Sequence, residues 1–392
     1  MPEKAQLLAR LDRLQQQVLL VGAISAGISV AGALFSPTQF FQSYLFGYVF
    51  WIGITLGCLG LLMLHHLVSG GWGFVIQRIT EAGMKTSTLM AVLFVPLALG
   101  LTHIYPWSRP DALTGGDIMK FKSAYLTVPG FVTRAMLYFA LWIALSTLLS
   151  RWSRRQDETA DPRLTRASRL LSAPGLIAYA LTATFASIDW VMSLEPEWSS
   201  TIYGMMFIVA QALSSLAVAT IAVSLLARYN PFDGILTRRH FHHLGNLLLA
   251  FTILWAYMAF SQLIIIWSGN LPEENSWYIS RLGPGWESIA ALLLLVHFFV
   301  PFFVLLSRRA KQSGRPLMLI AGLLLVMQVV DDYWLIVPAF HPGVFHLHWL
   351  DFTVPVAIGG FWLAAFLRQL KRGSMIPLHD PRFAAVLAAA KG

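Results

Sequence analysis

The chain has 392 residues, of which 57% are hydrophobic and only 12% are charged. Soluble domains carry about 25% charged residues, so a water-soluble protein of this size would lack the polar groups to cover its surface. The composition therefore predicts an all-α integral membrane protein. The net charge of +9 comes from short loops between apolar segments. It does not form a folded basic face, so no nucleic-acid partner is expected.

Ten apolar segments are long enough to cross a hydrocarbon core of about 30 Å at a rise of about 1.5 Å per residue. In chain order they lie at residues 18–35, 43–66, 88–107, 128–150, 169–193, 201–227, 244–268, 286–307, 316–339 and 350–370. Spans 2–5 and spans 6–9 are two sets of four consecutive helices with short connections. We therefore expect two four-helix bundles, at about 43–193 and 201–339, with spans 1 and 10 at the periphery.

The segments outside the spans are predicted as follows. Residues 1–17 are expected to form a cytoplasmic amphipathic segment, because leucines recur at helical spacing within residues 3–16. The pattern of residues 72–84 favours a second interfacial helix on the same side. Residues 18–370 form the membrane domain, and residues 371–392 form a cytoplasmic tail.

Basic residues predict the orientation. Lys and Arg number 23 in the N-terminal segment, the C-terminal tail and the loops after spans 2, 4, 6 and 8. The opposite loops hold only four, which are Arg109, Lys120, Lys122 and Arg281. Cytoplasmic loops are enriched in basic residues, so both termini are expected in the cytoplasm.

Span 9 contains Gln328, Asp331 and Asp332 within the apolar sequence LLLVMQVVDDYWLIV. A charged residue near the centre of a membrane helix costs about 2.5–3.5 kcal/mol on insertion scales, so both carboxylates should face the protein interior. Gln328 shares a helical face with both. The two aspartates point about 100° apart, so we expect two separate sets of partners.

Neighbouring spans carry polar side chains at a depth similar to that of Asp331. They are His297 on span 8, Gln211 on span 6 and Gln262 on span 7. Carboxylates and histidine exchange protons, so one interpretation is a buried proton path. The alternative is that these groups only hold the helices together by hydrogen bonds.

The first bundle has a smaller polar pair. Arg134 lies near the outer end of span 4 and Asp189 near that of span 5. Because these consecutive helices are antiparallel, the two charges should meet. A buried ion pair that fixes the packing is expected, and a role at a quinone head group or proton exit is the alternative.

No redox cofactor or metal ligand set is predicted. The only cysteine is Cys58, and one thiol cannot supply the usual ligands of an iron–sulfur cluster. No helix carries the His pair that would hold haems in both leaflets. The sequence His346-x-His348 could bind a metal, but hydrogen bonding at the interface is the simpler interpretation.

Three stretches resemble a known family. They are HHLVSGGWG (65–73), SIDWVMSLEPEWSSTIYG (187–204) and LGNLLLAFTILWAYMAFSQLIIIWSGNLPEENSWYISR (244–281). Their order and the ten spans match the F subunit of alternative complex III, a bacterial quinol:cytochrome c oxidoreductase. That subunit belongs to the NrfD/polysulfide-reductase membrane-anchor group. None of the stretches has catalytic spacing, so the resemblance is to a family and carries no site residues over.

The resemblance implies a location in the bacterial cytoplasmic membrane and no redox cofactor in this chain. It implies partners that are a sister NrfD-like membrane subunit, an iron–sulfur subunit and a multihaem cytochrome c subunit, with lipids around them. Menaquinone or ubiquinone would react at the complex, with the sister subunit better suited to quinol oxidation. In this family the F subunit is discussed as a proton path or a structural counterpart.

Two further function classes fit the residues. Ten spans with buried aspartates also suit a secondary transporter, although no paired half-helices interrupted by Gly or Pro mark a midplane substrate site. A purely structural scaffold subunit is the third possibility, in which the aspartates only pair with their neighbours.

Overall fold

The computed structural model describes residues 2–109, 124–229, 236–377 and 380. Lys120, Lys122 and residues 381–392 lie outside the described residues. Within those ranges the chain is helical with no β-strand, and ten helical segments are long and apolar enough to cross a membrane. The protein is therefore an all-α, multi-pass membrane protein, as the composition predicts.

The ten spans, numbered in chain order, are Ala5–Phe35, Pro37–Val68, Gly71–Leu99, Val128–Thr159, Pro162–Leu194, Tyr203–Leu226, Arg238–Gly269, Trp286–Leu306, Gly314–Ala339 and Leu350–Leu370. A short helix, Pro272–Arg281, connects spans 7 and 8. Several spans begin at a proline, which is favourable at the first helical position because its missing N–H would be unpaired there anyway. At span 5, Asp161 also caps the helix by accepting a hydrogen bond from Arg163 N at 2.9 Å.

The third span begins earlier than the hydropathy of the sequence predicts. Helices Gly71–Met84, Ser87–Leu93, Val95–Leu99 and Leu101–Ile104 follow one another, with irregular residues between them. Pro96, which has no N–H to donate, lies at one of these irregularities. The structure contains the helix expected at residues 72–84, as Gly71–Met84, and every residue from Gly73 to Met84 is buried in the protein.

The N-terminal segment is continuous with span 1. A single helix, Pro2–Phe35, contains both the predicted amphipathic residues and the first apolar segment. Leu7 and Leu11 are buried, so the leucine stripe packs at least partly against the protein. Proline restricts the residue before it to extended conformations, and Ser36, which precedes Pro37, ends this helix and separates it from span 2.

Span 2 is the centre of the molecule, and 94% of its apolar 18-residue stretch is buried. It packs against spans 3, 5, 6 and 10. Its contact with span 6 is close because Gly57 has no side chain: a Cβ there would lie 2.0 Å from the carbonyl oxygen of Gln211. Thr55 hydrogen-bonds Thr86 of span 3 at 2.8 Å and accepts from Trp362 Nε1 of span 10 at 2.8 Å.

Span 4 packs on spans 3 and 5. Span 6 packs on spans 7 and 9, and span 8 packs on the same two spans. Spans 2 and 6 pack against each other and join the two expected groups of four. Span 10 lies between span 1 and span 2. The apolar stretch of span 10 is 67% buried, whereas that of span 1 is only 17% buried. The outer layer on this side is therefore span 1.

The crossing of spans 1 and 10 generates a stability prediction. A Cβ on Gly22 would lie 2.9 Å from Gly360 Cα, so Gly22→Val should force the helices apart and cost about 1–3 kcal/mol. Gly27→Val on the same helix is the matched control, because a Cβ there meets nothing within 4 Å. Reversible unfolding in detergent micelles measures the stability of both variants. Equal losses of stability in Gly22→Val and Gly27→Val would contradict the predicted close packing.

We call the side with the loops after spans 2, 4, 6 and 8 the basic side, and the other the opposite side. Both Pro2 and Pro377 lie on the basic side, because an even number of spans separates them.

Candidate functional site

The polar residues of span 9 form one hydrogen-bonded group. Gln328 Nε2 donates to Asp331 Oδ2 at 3.2 Å and to Asp332 Oδ1 at 3.1 Å. The spacing of three and four residues places all three side chains within reach of each other on one helix. The aspartates therefore share a partner on their own helix, where the sequence had suggested two separate sets.

Trp255 of span 7 connects this group to span 8. Its Nε1 donates to Asp331 Oδ2 at 2.9 Å, and its ring packs against the ring of His297, with 4.1 Å between centroids. His297 is fully buried, and neither of its ring nitrogens has a hydrogen-bond partner among the described residues. We call Trp255, His297, Gln328, Asp331 and Asp332 the acid cluster.

The backbone around His297 is a π-helix, Leu293–Phe299, inserted within span 8. Pro301 follows four residues after His297, so it cannot donate the α-helical hydrogen bond to the carbonyl of His297, and its ring would clash with that carbonyl. A wider turn relieves this clash. π-Helical turns occur frequently at functional sites, and here the turn contains the only histidine of the cluster.

Asp331 also lines a cavity of about 340 Å³. The other lining residues are almost all apolar or aromatic, and they are Met206, Trp255, Ala256, Ala259, Phe260, Leu263, Trp277, Tyr278, Leu282, Ala290, Ala291, Leu293, Leu294, Phe298 and Trp334. The two donors to Asp331 both bond Oδ2. Its Oδ1 therefore has no donor in the described chain and remains available for a proton or a small molecule.

The structure does not bring Gln211 and Gln262 into the acid cluster. Gln211 accepts a hydrogen bond from Tyr179 of span 5 at 2.8 Å. Gln262 accepts one from Ser200 at 2.8 Å, and its Nε2 has no partner in the described part of the chain. Similar depth on adjacent helices was the only reason to group them, and depth does not specify the direction in which a side chain points.

Arg134 and Asp189 lie together in the first bundle. Arg134 Nη2 donates to Asp189 Oδ1 at 2.8 Å and Nε donates to Oδ2 at 2.9 Å, which is a two-point ion pair. Tyr138 donates to the same carboxylate at 2.9 Å. The guanidinium packs over the ring of Tyr125. Asp189 is completely buried, and the ion pair and hydrogen bonds offset the cost of that burial.

Arg281 makes a comparable pair at the opposite side of the second bundle. Its Nη2 donates to Glu195 Oε2 at 2.8 Å and to the carbonyl of Leu335 at 2.8 Å. The guanidinium packs over the ring of Trp277. Counting Arg281 as a loop residue missed this role, because the sequence does not show that the short helix before span 8 folds inward.

A second polar group, missed in the sequence, surrounds Asp351 at the start of span 10. The carboxylate accepts from Ser43 Oγ at 2.6 Å, from Gln39 Nε2 at 3.1 Å and from His348 N at 2.9 Å. Tyr333 donates to it at 3.3 Å. These bonds tie span 10 to spans 2 and 9. The signal available in the sequence was a carboxylate at the first turn of a membrane helix.

Three histidines lie beside Asp351. The ring of His341 stacks on that of His346 with 4.0 Å between centroids, and His346 stacks more distantly on His348. His346 Nε2 also hydrogen-bonds Gln39 at 3.3 Å. No group of three or more His, Cys, Asp or Glu side chains in the described ranges is arranged to hold a metal ion. These histidines are therefore engaged in stacking and, at His346, in a hydrogen bond.

No family model matches the chain, and no curated protein matches it. The resemblance to alternative complex III therefore stays a prediction from the sequence.

The buried ion pair of the first bundle should contribute strongly to stability. Asp189→Asn leaves the Arg134 guanidinium without its counter-charge, and we expect a loss of about 3 kcal/mol in the free energy of unfolding. Tyr138→Phe is the matched control, because it removes one hydrogen bond to the same carboxylate and should cost about 1 kcal/mol. A loss for Asp189→Asn no larger than that of the control would contradict the pair's role.

The stacked histidines should make stability depend on pH. Burial, and then the charge of His346, lower the pKa of His341 from its ordinary value, while Asp351 opposes the shift. The unfolded chain then binds a proton more readily than the folded one, so stability should fall as pH drops below about 6.5. Thermal unfolding at pH 8 and pH 5 should show a smaller pH effect in His341→Gln than in wild type. His103→Gln, on the same side, should leave the effect unchanged, and an equal reduction in both would overturn this assignment.

Proposed function

We propose that this protein is a membrane subunit of a quinol:electron-acceptor oxidoreductase of the alternative complex III type, in which it contributes a proton path. The resemblance in residues 65–73, 187–204 and 244–281 supports the kind of complex. The acid cluster supports the role within it. On this proposal the chain lies in a bacterial cytoplasmic membrane with its basic side in the cytoplasm.

The observation that carries the proton role is the lack of any cation beside Asp331 and Asp332. The buried carboxylates Asp189 and Glu81 are paired with arginines, and buried Asp351 accepts four hydrogen bonds. Neither Asp331 nor Asp332 forms an ion pair within the described chain, and both accept from the neutral amide of Gln328. Two negative charges held only by that amide and the indole N–H of Trp255 are costly in hydrocarbon, so the pair is suited to binding and releasing a proton.

The geometry supports a specific route at this point. A proton on Asp331 would occupy Oδ1, because Trp255 and Gln328 both donate to Oδ2. Oδ1 exchanges its proton with water entering the adjacent cavity. His297 packs against the ring of Trp255, and both of its nitrogens are unpartnered among the described residues, so a movement of the indole would bring a second proton acceptor to Asp331.

The other parts of the proposal follow from the family. The chain would hold no redox cofactor of its own. It would assemble with a sister NrfD-like subunit, an iron–sulfur subunit and a multihaem cytochrome c subunit, which carry the clusters and haem c. Menaquinol or ubiquinol would be oxidised to the quinone in the complex, and the acid cluster would couple that electron flow to proton movement.

A secondary transporter is a second candidate, and the cavity beside Asp331 favours it. An apolar space of about 340 Å³ with one carboxylate in its wall has the size and chemistry of a small-ligand site. On this alternative the carboxylate would bind a coupling proton or a cationic substrate. Haem c that purifies with the chain would support the oxidoreductase, whereas an isolated chain stabilised by a substrate would support the transporter.

The test of the proton role is proton release per electron in vesicles that contain the intact complex. Asp331→Asn keeps the shape and most hydrogen bonds but removes the proton-binding group. We expect it to lower proton release or turnover while haem content is unchanged. If the whole cluster takes part, Asp332→Asn and His297→Ala should also lower proton release or turnover.

Thr252→Val is the matched control for that test. Thr252 is buried on span 7, about one turn from Trp255, and its hydroxyl bonds only the carbonyl of Leu248. This variant should behave as wild type. Unchanged stoichiometry and rate in all three cluster variants would refute the proton role, and loss of assembly in them would favour a scaffold.

A further inference from the structure

A small cavity lies where the basic-side parts of spans 3, 4 and 10 meet. Its volume is about 30 Å³, and basic side chains dominate its polar lining. Four of them are cationic, and they are Arg78, Lys85, Arg154 and Arg372. Two carboxylates, Glu81 and Asp157, also line it. The cavity therefore has a formal excess of positive charge.

Arg78 uses both carboxylates. Its Nη1 donates to Glu81 Oε2 at 2.8 Å, and its Nη2 bonds both oxygens of Asp157. Glu81 accepts further bonds from Ser153 Oγ at 2.7 Å and Gln77 Nε2 at 3.1 Å. Both carboxylates therefore already accept hydrogen bonds from protein groups, and this network joins the residues on one part of the cavity wall.

The other three cations have no such partner. Lys85, Arg154 and Arg372 form no ion pair within the described ranges, although they line the same cavity. Like charges held this close repel one another, and the repulsion lowers stability unless an anion lies between them. Lys85 is half-buried, so its charge is only partly screened by water.

Their positions in the chain place them at the membrane surface. Arg154 follows the apolar part of span 4, and Arg372 comes two residues after Leu370, the end of span 10. Lys85 directly precedes the apolar sequence of residues 89–101. Each cation therefore lies at a border between apolar and polar sequence, which is the level of lipid head groups.

We propose that this cavity binds a phosphate group, and that the group belongs to the head of an anionic membrane lipid. One phosphate oxygen fits the space of about 30 Å³, and Lys and Arg donate charge-assisted hydrogen bonds to such oxygens. The lipid's negative charge offsets the repulsion among the three cations. Its acyl chains extend along the apolar surfaces of the adjoining spans.

The experiment measures lipid that stays bound after purification. The protein is washed in mild detergent, and anionic lipid per chain is quantified by mass spectrometry. Three chains are compared: wild type, the triple variant Lys85→Gln/Arg154→Gln/Arg372→Gln, and the control Arg163→Gln/Arg166→Gln/Arg169→Gln. The control removes the same charge from exposed positions on the basic side that do not line this cavity.

We expect wild type and control to retain anionic lipid, with affinity falling about fivefold for each cation removed from the cavity. Stabilisation against heat by inorganic phosphate, lost only in the triple variant, would identify free phosphate as the source of the group. Equal lipid loss in the triple variant and control, or neither lipid retention nor phosphate stabilisation in wild type, would overturn the proposal. If the triple variant does not fold, the single variants Arg154→Gln and Arg372→Gln, at exposed positions, replace it. Each should lower the affinity for anionic lipid about fivefold.

Discussion

The constraint on which this structure depends is that hydrocarbon offers no water to its polar groups, so each buried charge must find its partner within the protein. In the first bundle, Arg134 forms an ion pair with Asp189. In the second, Arg281 forms an ion pair with Glu195. The first pair joins the consecutive spans 4 and 5, and the second joins the segment after span 5 to the short helix before span 8. Buried Asp351 has no cationic partner among the described residues either, but it accepts four hydrogen bonds at the start of span 10. The carboxylates Asp331 and Asp332 are the exception, because within the described chain they share only three hydrogen bonds, all from neutral donors.

That exception is built from three neighbouring spans. Span 9 supplies both carboxylates and the bridging amide, span 7 supplies the indole donor, and span 8 supplies His297 from a π-helical turn. Purely structural hydrogen bonds would satisfy every polar atom, since an unsatisfied buried group costs about 1–3 kcal/mol. Here both nitrogens of His297 and the Oε1 of Gln328 have no partner among the described residues. The cluster thus retains unused bonding capacity beside a cavity, which the proposed proton exchange requires.

Hydropathy was sufficient to predict the ten spans, because each apolar segment must match the thickness of the bilayer. It did not show that the helix at residues 72–84 is buried, because a helix with polar residues can be buried when Arg78 and Glu81 pair within the protein. Depth along a helix placed Arg134 beside Asp189, but it also grouped Gln211 and Gln262 with a cluster that they do not join. The rotation of each helix about its axis depends on packing, which the sequence of one chain does not reveal.

Trp255 and Asp351 show the other limit of prediction. Aromatic residues are common in membrane spans, so nothing distinguished the one indole that donates to Asp331. Asp351 lay at the start of a span, where a charge costs little, and its partners Ser43 and Gln39 are more than three hundred residues away in the chain. Contacts between segments so distant in sequence depend on which spans become neighbours in the fold, and a single sequence does not show this.

The central claim is that Asp331 exchanges a proton within the membrane domain. Infrared difference spectroscopy of the protein in lipid, recorded as the pH is changed, detects the carbonyl stretch of a protonated carboxyl group directly. The account predicts a pH-dependent carboxyl band that shifts in heavy water and is lost in Asp331→Asn, while Asp189→Asn leaves it in place. A spectrum with no such band, or one unchanged in Asp331→Asn, would contradict the account.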